Sequence, residues 1–178
     1  MEERSTILDE IEIERILKRL AYEIFEKNKG FKNICLIGIK SRGVPMANFI
    51  TKFLGNTENV KIPVGILDIT FYRDDLSKVA DKPVFNSSEL NLNIEDKIII
   101  LVDDVLYTGK TVHVATIFLL KQGKPESIQL CVLIDRGHHK LPISADFVGK
   151  VVPTKCNEVI KVNLKEIDNQ ENVKIFLN

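Results

Sequence analysis

Apolar positions along the chain fall into blocks with two different periods. From Asp9 to Gly30, Ile13, Ile16, Leu17, Leu20, Ile24 and Phe25 recur at helical spacing. Asp9 and Glu12 stand where a capping box would open that helix, and Gly30 supplies its stop. Ile34 to Ile39 is a short continuous apolar run, read as a strand. It leads into Lys40-Ser41-Arg42-Gly43 and a helix through Leu54. Val60 to Phe71 predicts a second strand region. From Tyr72 to about Asn93 the chain is polar and dense in Asp, Ser and Lys. A connection that long inside a compact domain is usually functional or disordered. Ile98 to Val102 predicts another strand, followed by a helix to Gly123. Ser127 to Ile134 is a further strand, and short strands at Phe147 to Val152 and Val159 to Leu164 close the series. Alternation of strand and helix predicts an α/β fold with a parallel sheet flanked by helices. No repeat, low-complexity tract or linker interrupts the pattern. One domain over residues 1–178 is therefore expected, long enough to bury a sizeable core.

The most informative stretch begins at Ile98. Its aliphatic run has the character of a strand buried on both faces, and it delivers Asp103 and Asp104 to the strand's carboxyl end. Open α/β sheets bind their ligands at that end. Ionised carboxylates only accept hydrogen bonds and hydroxyls donate them, so the acid pair suits vicinal sugar hydroxyls. Thr108-Gly109-Lys110-Thr111 then supplies hydroxyls and backbone amides where a helix begins, a favourable phosphate site. A ribose 5-phosphate would satisfy both halves. A nucleoside-triphosphate loop would need a second glycine where Asp104 stands. The stretch resembles the signature of the type I phosphoribosyltransferases, which bind 5-phosphoribosyl 1-diphosphate (PRPP).

Bulk properties narrow the setting. Hydrophobic residues make up 44% and charged residues 28% of the 178, ordinary values for a globular protein. Lys plus Arg equals Asp plus Glu at 25 each, so any nucleic-acid affinity must come from a local basic face. The charged start and the lack of a membrane-length apolar run argue against a signal peptide or a membrane partner. Cys35, Cys131 and Cys156 are widely separated. The first two sit in apolar strand patterns and are expected to be reduced core residues in a cytoplasmic protein.

Three further polar clusters follow apolar runs. Lys40-Ser41-Arg42-Gly43 offers two cations, a hydroxyl and a glycine that permits close backbone approach, which suits a diphosphate. In a parallel sheet it lies at the same end as Asp103. Tyr72-Arg73-Asp74-Asp75 opens the long polar stretch, where a mobile arginine could close over a diphosphate. Asp135-Arg136-Gly137-His138-His139 leaves another strand. Neighbouring histidines seldom hold one ion without further ligands, so no direct metal site is expected.

Several segments together resemble one family, the pyrimidine-operon attenuation regulators that double as uracil phosphoribosyltransferases, the PyrR family. They are Ile7 to Glu10, Glu26 to Gly30, Gly38 to Gly43, Asp68 to Lys78, the PRPP signature, Ser127 to Leu130, Asp135 to His138 and Leu141 to Ile143. The resemblance covers roughly Ile7 to Leu164. It implies a type I phosphoribosyltransferase fold with a small hood formed by terminal segments. It also implies transfer of phosphoribose from PRPP to uracil, giving UMP and diphosphate, with Mg2+ held mainly by PRPP and water near Asp103 and Asp104. Asp103, Asp104 and Arg73 are then the expected catalytic residues. PRPP is expected on Lys40, Ser41, Arg42, Gly43, Asp103, Asp104, Val105, Leu106, Tyr107, Thr108, Gly109, Lys110 and Thr111. Tyr107, Asp135 and Arg136 are expected around uracil. Purine-salvage relatives place an aspartate at the Tyr107 position, against the purine imidazole edge, which a pyrimidine lacks.

The resemblance also implies binding of pyrimidine operon leader messenger RNA, controlled by UMP or UTP, and a homo-oligomer of dimer size or larger. Arg15, Lys18 and Arg19 fall at helical spacing. The family's RNA surface maps onto Lys18, Arg19, Lys27, Lys40, Ser41, His138, His139 and Lys150. Two positions depart: Tyr22 where histidine is common, and Ser144 where arginine is common. Alternatives within this reading are an RNA-binding nucleotide sensor with little catalysis, and a salvage enzyme with no RNA role.

Overall fold

The computed structural model describes residues 2–69, 90 and 92–177. The Tyr72-Arg73-Asp74-Asp75 cluster, including the expected catalytic Arg73, lies outside them. Strands β2 (Ile34–Ile39), β3 (Val64–Leu67), β4 (Ile98–Leu106), β5 (Ser127–Asp135) and β6 (Phe147–Val151) form one sheet in the order β3-β2-β4-β5-β6. Every pairing in it is parallel. Helices α1 (Glu10–Lys27) and α2 (Gly43–Glu58) cover one face, and α3 (Lys110–Gln122) covers the other.

Period-two alternation with both faces covered explains why the strands read as unbroken apolar runs. In β4, Ile100 and Val102 join the cluster with α1 and α2, whereas Ile99 and Leu101 join the cluster with α3. Burial of both thiols pushes them up, Cys35 to about 11 and Cys131 to about 12. Cys156 is exposed, and all three are free. The capping box forms as the spacing predicts: Glu12 N donates to Asp9 Oδ1 at 2.8 Å, and Asp9 N donates to Glu12 Oε2 at 3.0 Å. Such a cap contributes about 1 kcal/mol.

Among the strands read from the pattern, boundaries differ by more than one residue in two places. Of the expected Val60 to Phe71 region, β3 occupies Val64–Leu67 within the described part, residues 60–69. Pro63 before it has no N–H to give a ladder, although its carbonyl accepts from Leu36 N at 3.0 Å. β4 runs past Val102 to Leu106, because its pairing with β5 continues to Leu106 opposite Asp135. The two aspartates thus lie in the last part of the strand instead of following it.

Strands β1 (Glu2–Leu8), β7 (Glu158–Asn163) and β8 (Asn172–Leu177), with the short helix α4 (Lys165–Asp168), form a separate antiparallel sheet in the order β1-β8-β7. This is the expected hood, although the hydropathy pattern marks neither β1 nor β8 as a strand. Ile160, Val162, Leu164 and Val173 bury against Leu8 and α1 in the larger core. No helix among the described residues is long and apolar enough to cross a membrane.

Candidate active site

The order of the main sheet places a switch between β2 and β4. From β2 the chain crosses to β3 on one side and later returns to β4 on the other. The crevice at the carboxyl ends of two such strands is where open α/β sheets take ligands. The register Ile34↔Ile98 to Gly38↔Val102 brings the turn after β2 level with Asp103.

Among the described residues, two helix N-termini open onto this end. α3 begins after Gly109, whose φ of 84° suits glycine, and no side chain caps it. α2 begins after Arg42, again without a side-chain cap. Apart from the Lys110 amide, which donates weakly to Thr108 Oγ1, amides of their first turns keep donor capacity for an anion. The Lys40–Ser41 peptide between β2 and α2 is cis. Glycines permit the close approach here. A Cβ on Gly38 would stand 2.6 Å from Val44 Cα, and one on Gly43 would overlap the Val102 carbonyl oxygen.

Asp103 is 4% exposed, and Asp104 is half-buried. Asp103 Oδ1 accepts from Asp104 N and Asp104 Oδ1 accepts from Val105 N, both at 3.0 Å. Both carboxylates line a cavity of about 280 Å³ together with Val105 to Gly109, Thr111 and Arg136. Val159 and Ile160 of the hood close its far side. Those two had no signal in the sequence beyond strand character, because only the folding back of β7 brings them here. Lys110 is exposed and does not line this cavity, although its amide donates to Thr108 Oγ1 at 3.4 Å.

Tyr107 stands at the rim, 40% exposed. The Arg136 guanidinium lies over its ring, 4.0 Å from the centroid, and the His138 ring meets it edge-on at 6.2 Å. Arg136 is itself buried. Its Nε donates to Thr154 Oγ1 at 3.1 Å and its Nη2 to the Glu158 carbonyl at 2.6 Å, which ties the end of β5 to the hood. Asp135 Oδ1 accepts from Gly137 N and contacts His139 Nε2, both at 2.9 Å. His138 Nε2 lies 2.6 Å from the Thr154 carbonyl.

The turn Lys40 to Gly43 is divided in its contacts. Lys40 Nζ pairs with Asp68 at 2.9 Å. Lys40 and Ser41 line a second, larger cleft of about 520 Å³, bounded by Val44, Pro45, Phe49 and Ile167. That cleft holds no aspartate pair. The smaller cavity, with its carboxylates and a helix N-terminus, has the chemistry for a sugar phosphate. Arg42 lines neither; its guanidinium is bonded to Asp168 of α4.

The residues expected on RNA separate into groups. Lys18, Arg19 and Lys27 lie on α1, and Lys150 on the edge strand β6. Arg19 bridges the two elements, donating to the Val148 and Gly149 carbonyls. Each of these three α1 cations has an acidic partner: Lys18 with Glu14, Arg19 with Glu23, Lys27 with Asp146. Lys150 Nζ donates to the Ile7 carbonyl at 3.2 Å. Register pairs Lys150 with Ile134, one residue before the end of β5, and His138 and His139 follow that strand in the chain. Tyr22 is exposed and edge-on to Phe53, with centroids 5.4 Å apart.

Comparison with known proteins bears on the family and the fold. The family described as "Phosphoribosyl transferase domain" matches residues 3–165. The chain is 52% identical over 176 residues to the Bifunctional protein PyrR of Clostridium novyi, covering 99% of each chain. It is 50% identical over 173 residues to that of Deinococcus radiodurans, covering 97% of this chain and 94% of the relative. Among solved structures, a Trypanosoma cruzi hypoxanthine phosphoribosyltransferase superposes with a TM-score of 0.75 at 18% identity, covering 98% of this chain and 97% of the other. A Bacillus anthracis hypoxanthine-guanine phosphoribosyltransferase gives 0.74 at 20% identity, covering 98% of each chain. At these identities the two structures speak to the fold, which is that of the type I phosphoribosyltransferases.

Proposed function

The chain belongs to the phosphoribosyl transferase domain family and, within it, to the PyrR proteins, and from that premise we infer that it transfers the phosphoribosyl group of PRPP to uracil and also binds pyrimidine operon leader RNA as an attenuator. The observation that carries the catalytic half is the pair of uncapped helix N-termini at the ends of adjacent strands, with Asp103 and Asp104 beside them. PRPP carries a phosphate at one end of its ribose and a diphosphate at the other, with two hydroxyls between.

The 5-phosphate sits on the Tyr107 to Thr111 turn, where the N-terminal amides of α3 favour negative charge. Asp103 and Asp104 accept from the ribose hydroxyls. The C1–oxygen bond to diphosphate breaks, its electron pair leaving with the diphosphate. A bond forms from C1 to uracil N1, and the N1 proton is released. Positive charge builds on the sugar in this step, and the two carboxylates stabilise it electrostatically. Lys40, Ser41 and the first amides of α2 take the departing diphosphate. Tyr107, held by Arg136, borders the base together with Asp135.

Magnesium fits this donor set, since two carboxylates rather than a full protein cage are what that ion takes when substrate and water complete its shell. Bound beside Asp103 and Asp104, it would supply charge neutralisation for the diphosphate. Two assays test the reading. Labelled uracil with PRPP and magnesium should yield labelled UMP, and no turnover would leave only a nucleotide-sensing RNA binder. Leader RNA should shift more strongly with UMP than without it. No preference over an unrelated hairpin would leave a salvage enzyme alone.

A further inference from the structure

Arg42 leaves the end of β2 where the sequence pattern expects a diphosphate ligand, yet it faces the hood. Its Nε donates to Asp168 Oδ2 at 3.2 Å and its Nη2 to Oδ1 at 2.8 Å, a planar fork on a carboxylate. Asp168 is anchored in turn. Its Oδ2 accepts from Leu164 N at 3.0 Å, and its own N–H donates to the Leu164 carbonyl at 2.7 Å. The side chains are only 33% and 18% exposed. Burial would push the Asp168 carboxyl up, but the Leu164 amide and the Arg42 guanidinium outweigh it and hold it below its ordinary value. Turning Arg42 toward substrate would leave this carboxylate partly buried without its cation, which is costly.

The residue after Arg42 is fixed as well, since Gly43 packs on the Val102 carbonyl. The turn is therefore held at two adjacent points, on the main sheet through Gly43 and on the hood through Arg42. We propose that Asp168 is a positioning residue for PRPP: acting through Arg42, it holds the Lys40–Gly43 turn in the shape that presents Lys40, Ser41 and the α2 amides to the diphosphate. Arg42 is a strut and not a ligand. The hood thereby acts on both ends of the site, through Asp168 on the diphosphate side and through the Glu158 carbonyl on Arg136 at the base side. This inference rests on the reading of the chain as a PRPP enzyme.

The test uses the full chain, with Asp168→Asn, Arg42→Lys and the double variant. KM for PRPP and for uracil, kcat, and direct titration with magnesium PRPP are measured for each. Arg42→Lys keeps the charge but cannot form the fork. Each single variant should raise the PRPP KM by about tenfold, the order expected for one lost charge-assisted pair, with the uracil KM nearly unchanged. Because both residues act as one unit, the double variant should be no worse than the worse single. Losses that multiply in the double variant would overturn the strut. So would wild-type PRPP affinity in Asp168→Asn beside a large loss in Arg42→Lys, which would make Arg42 a ligand. Tighter PRPP binding in Asp168→Asn would overturn it too, by making the pair a brake. If Asp168→Asn fails to fold, Asp168→Ser, which removes the carboxylate but keeps an acceptor for the Leu164 amide, is read in its place: a rise in PRPP KM with the uracil KM unchanged supports the strut, and wild-type PRPP affinity or an equal rise in both overturns it. Wild-type protein that binds no PRPP would instead sink the functional reading beneath the proposal.

Discussion

Gly43 sits so close to Val102 that a Cβ would overlap the Val102 carbonyl oxygen and come within 3.1 Å of its carbon. The start of α2 and the strand carrying Asp103 are in backbone contact, so the spacing between the two proposed phosphate sites is set without any intervening side chain. Gly43→Ala must push the turn away from β4. Overpacking of this kind costs roughly 1–3 kcal/mol. A lower melting temperature together with a raised PRPP KM is expected. Wild-type values for both would show that the contact does not set the site.

The carboxylate pair should be needed for turnover. Asp103→Asn with Asp104→Asn keeps shape and still allows the Asp104 and Val105 amides an acceptor. It removes charge from two ribose contacts, each worth roughly 1.5–3 kcal/mol, so a loss on the order of a hundred- to ten-thousand-fold is expected. Near-normal UMP formation by the folded double variant would falsify the assignment.

Base choice should favour uracil. Tyr107 is held by Arg136 at 4.0 Å, so its ring presents a fixed wall and no carboxylate to the base. With uracil, hypoxanthine and guanine at equal concentration, UMP should be the main product. IMP or GMP as chief product would overturn the pyrimidine reading while leaving the family assignment in place.

RNA affinity should fall steeply with salt, because the formal net charge is zero and phosphate contacts must come from local cations. Arg19 also holds α1 to β6, so its removal would confuse binding with stability. Lys18→Ala with Lys150→Ala is the cleaner pair. It should lower the slope of log affinity against log salt by about 1.5, since each phosphate contact counts for roughly 0.7–0.9. Leader RNA titrations at several salt concentrations, with UMP present, read this directly, and an unchanged slope would remove both lysines from the interface.

Thiol chemistry should single out one cysteine. Burial pushes Cys35 to about 11 and Cys131 to about 12, whereas Cys156 is exposed. A thiol reagent at pH 8 should modify one thiol per native chain and three after denaturation. The raised values also set a sign for stability. The unfolded thiols ionise near 9, below the folded values, so stability is fully present below that pH and falls as pH rises toward 11 and beyond. More than one fast-reacting thiol in native protein would contradict the burial.

Much of the site is local in sequence and was legible there. A strand must end before its ligand-binding turn, a helix must begin where an anion is held, and the acid pair joins them without a gap. Asp103, Asp104 and the Thr108 to Thr111 turn could therefore be named from order alone, and so could the capping box and the parallel strands with apolar residues on both faces. The hood was legible only by resemblance. β1 and β8 are separated by nearly the whole chain, and β1 offers little apolar pattern to read, since Glu2 to Thr6 stay exposed in the sheet and only Leu8 at its end is buried. Side-chain direction also escaped. A pattern such as Lys-Ser-Arg-Gly sets which charges are present, but not which of them meets a carboxylate from a distant helix. Arg42 turned to Asp168 and Arg136 turned to Thr154 and Glu158 because the folded hood offers them acceptors at fixed positions. Partners of that kind are decided by tertiary packing, since the energy of a buried charge depends on what surrounds it and not on what precedes it in the chain.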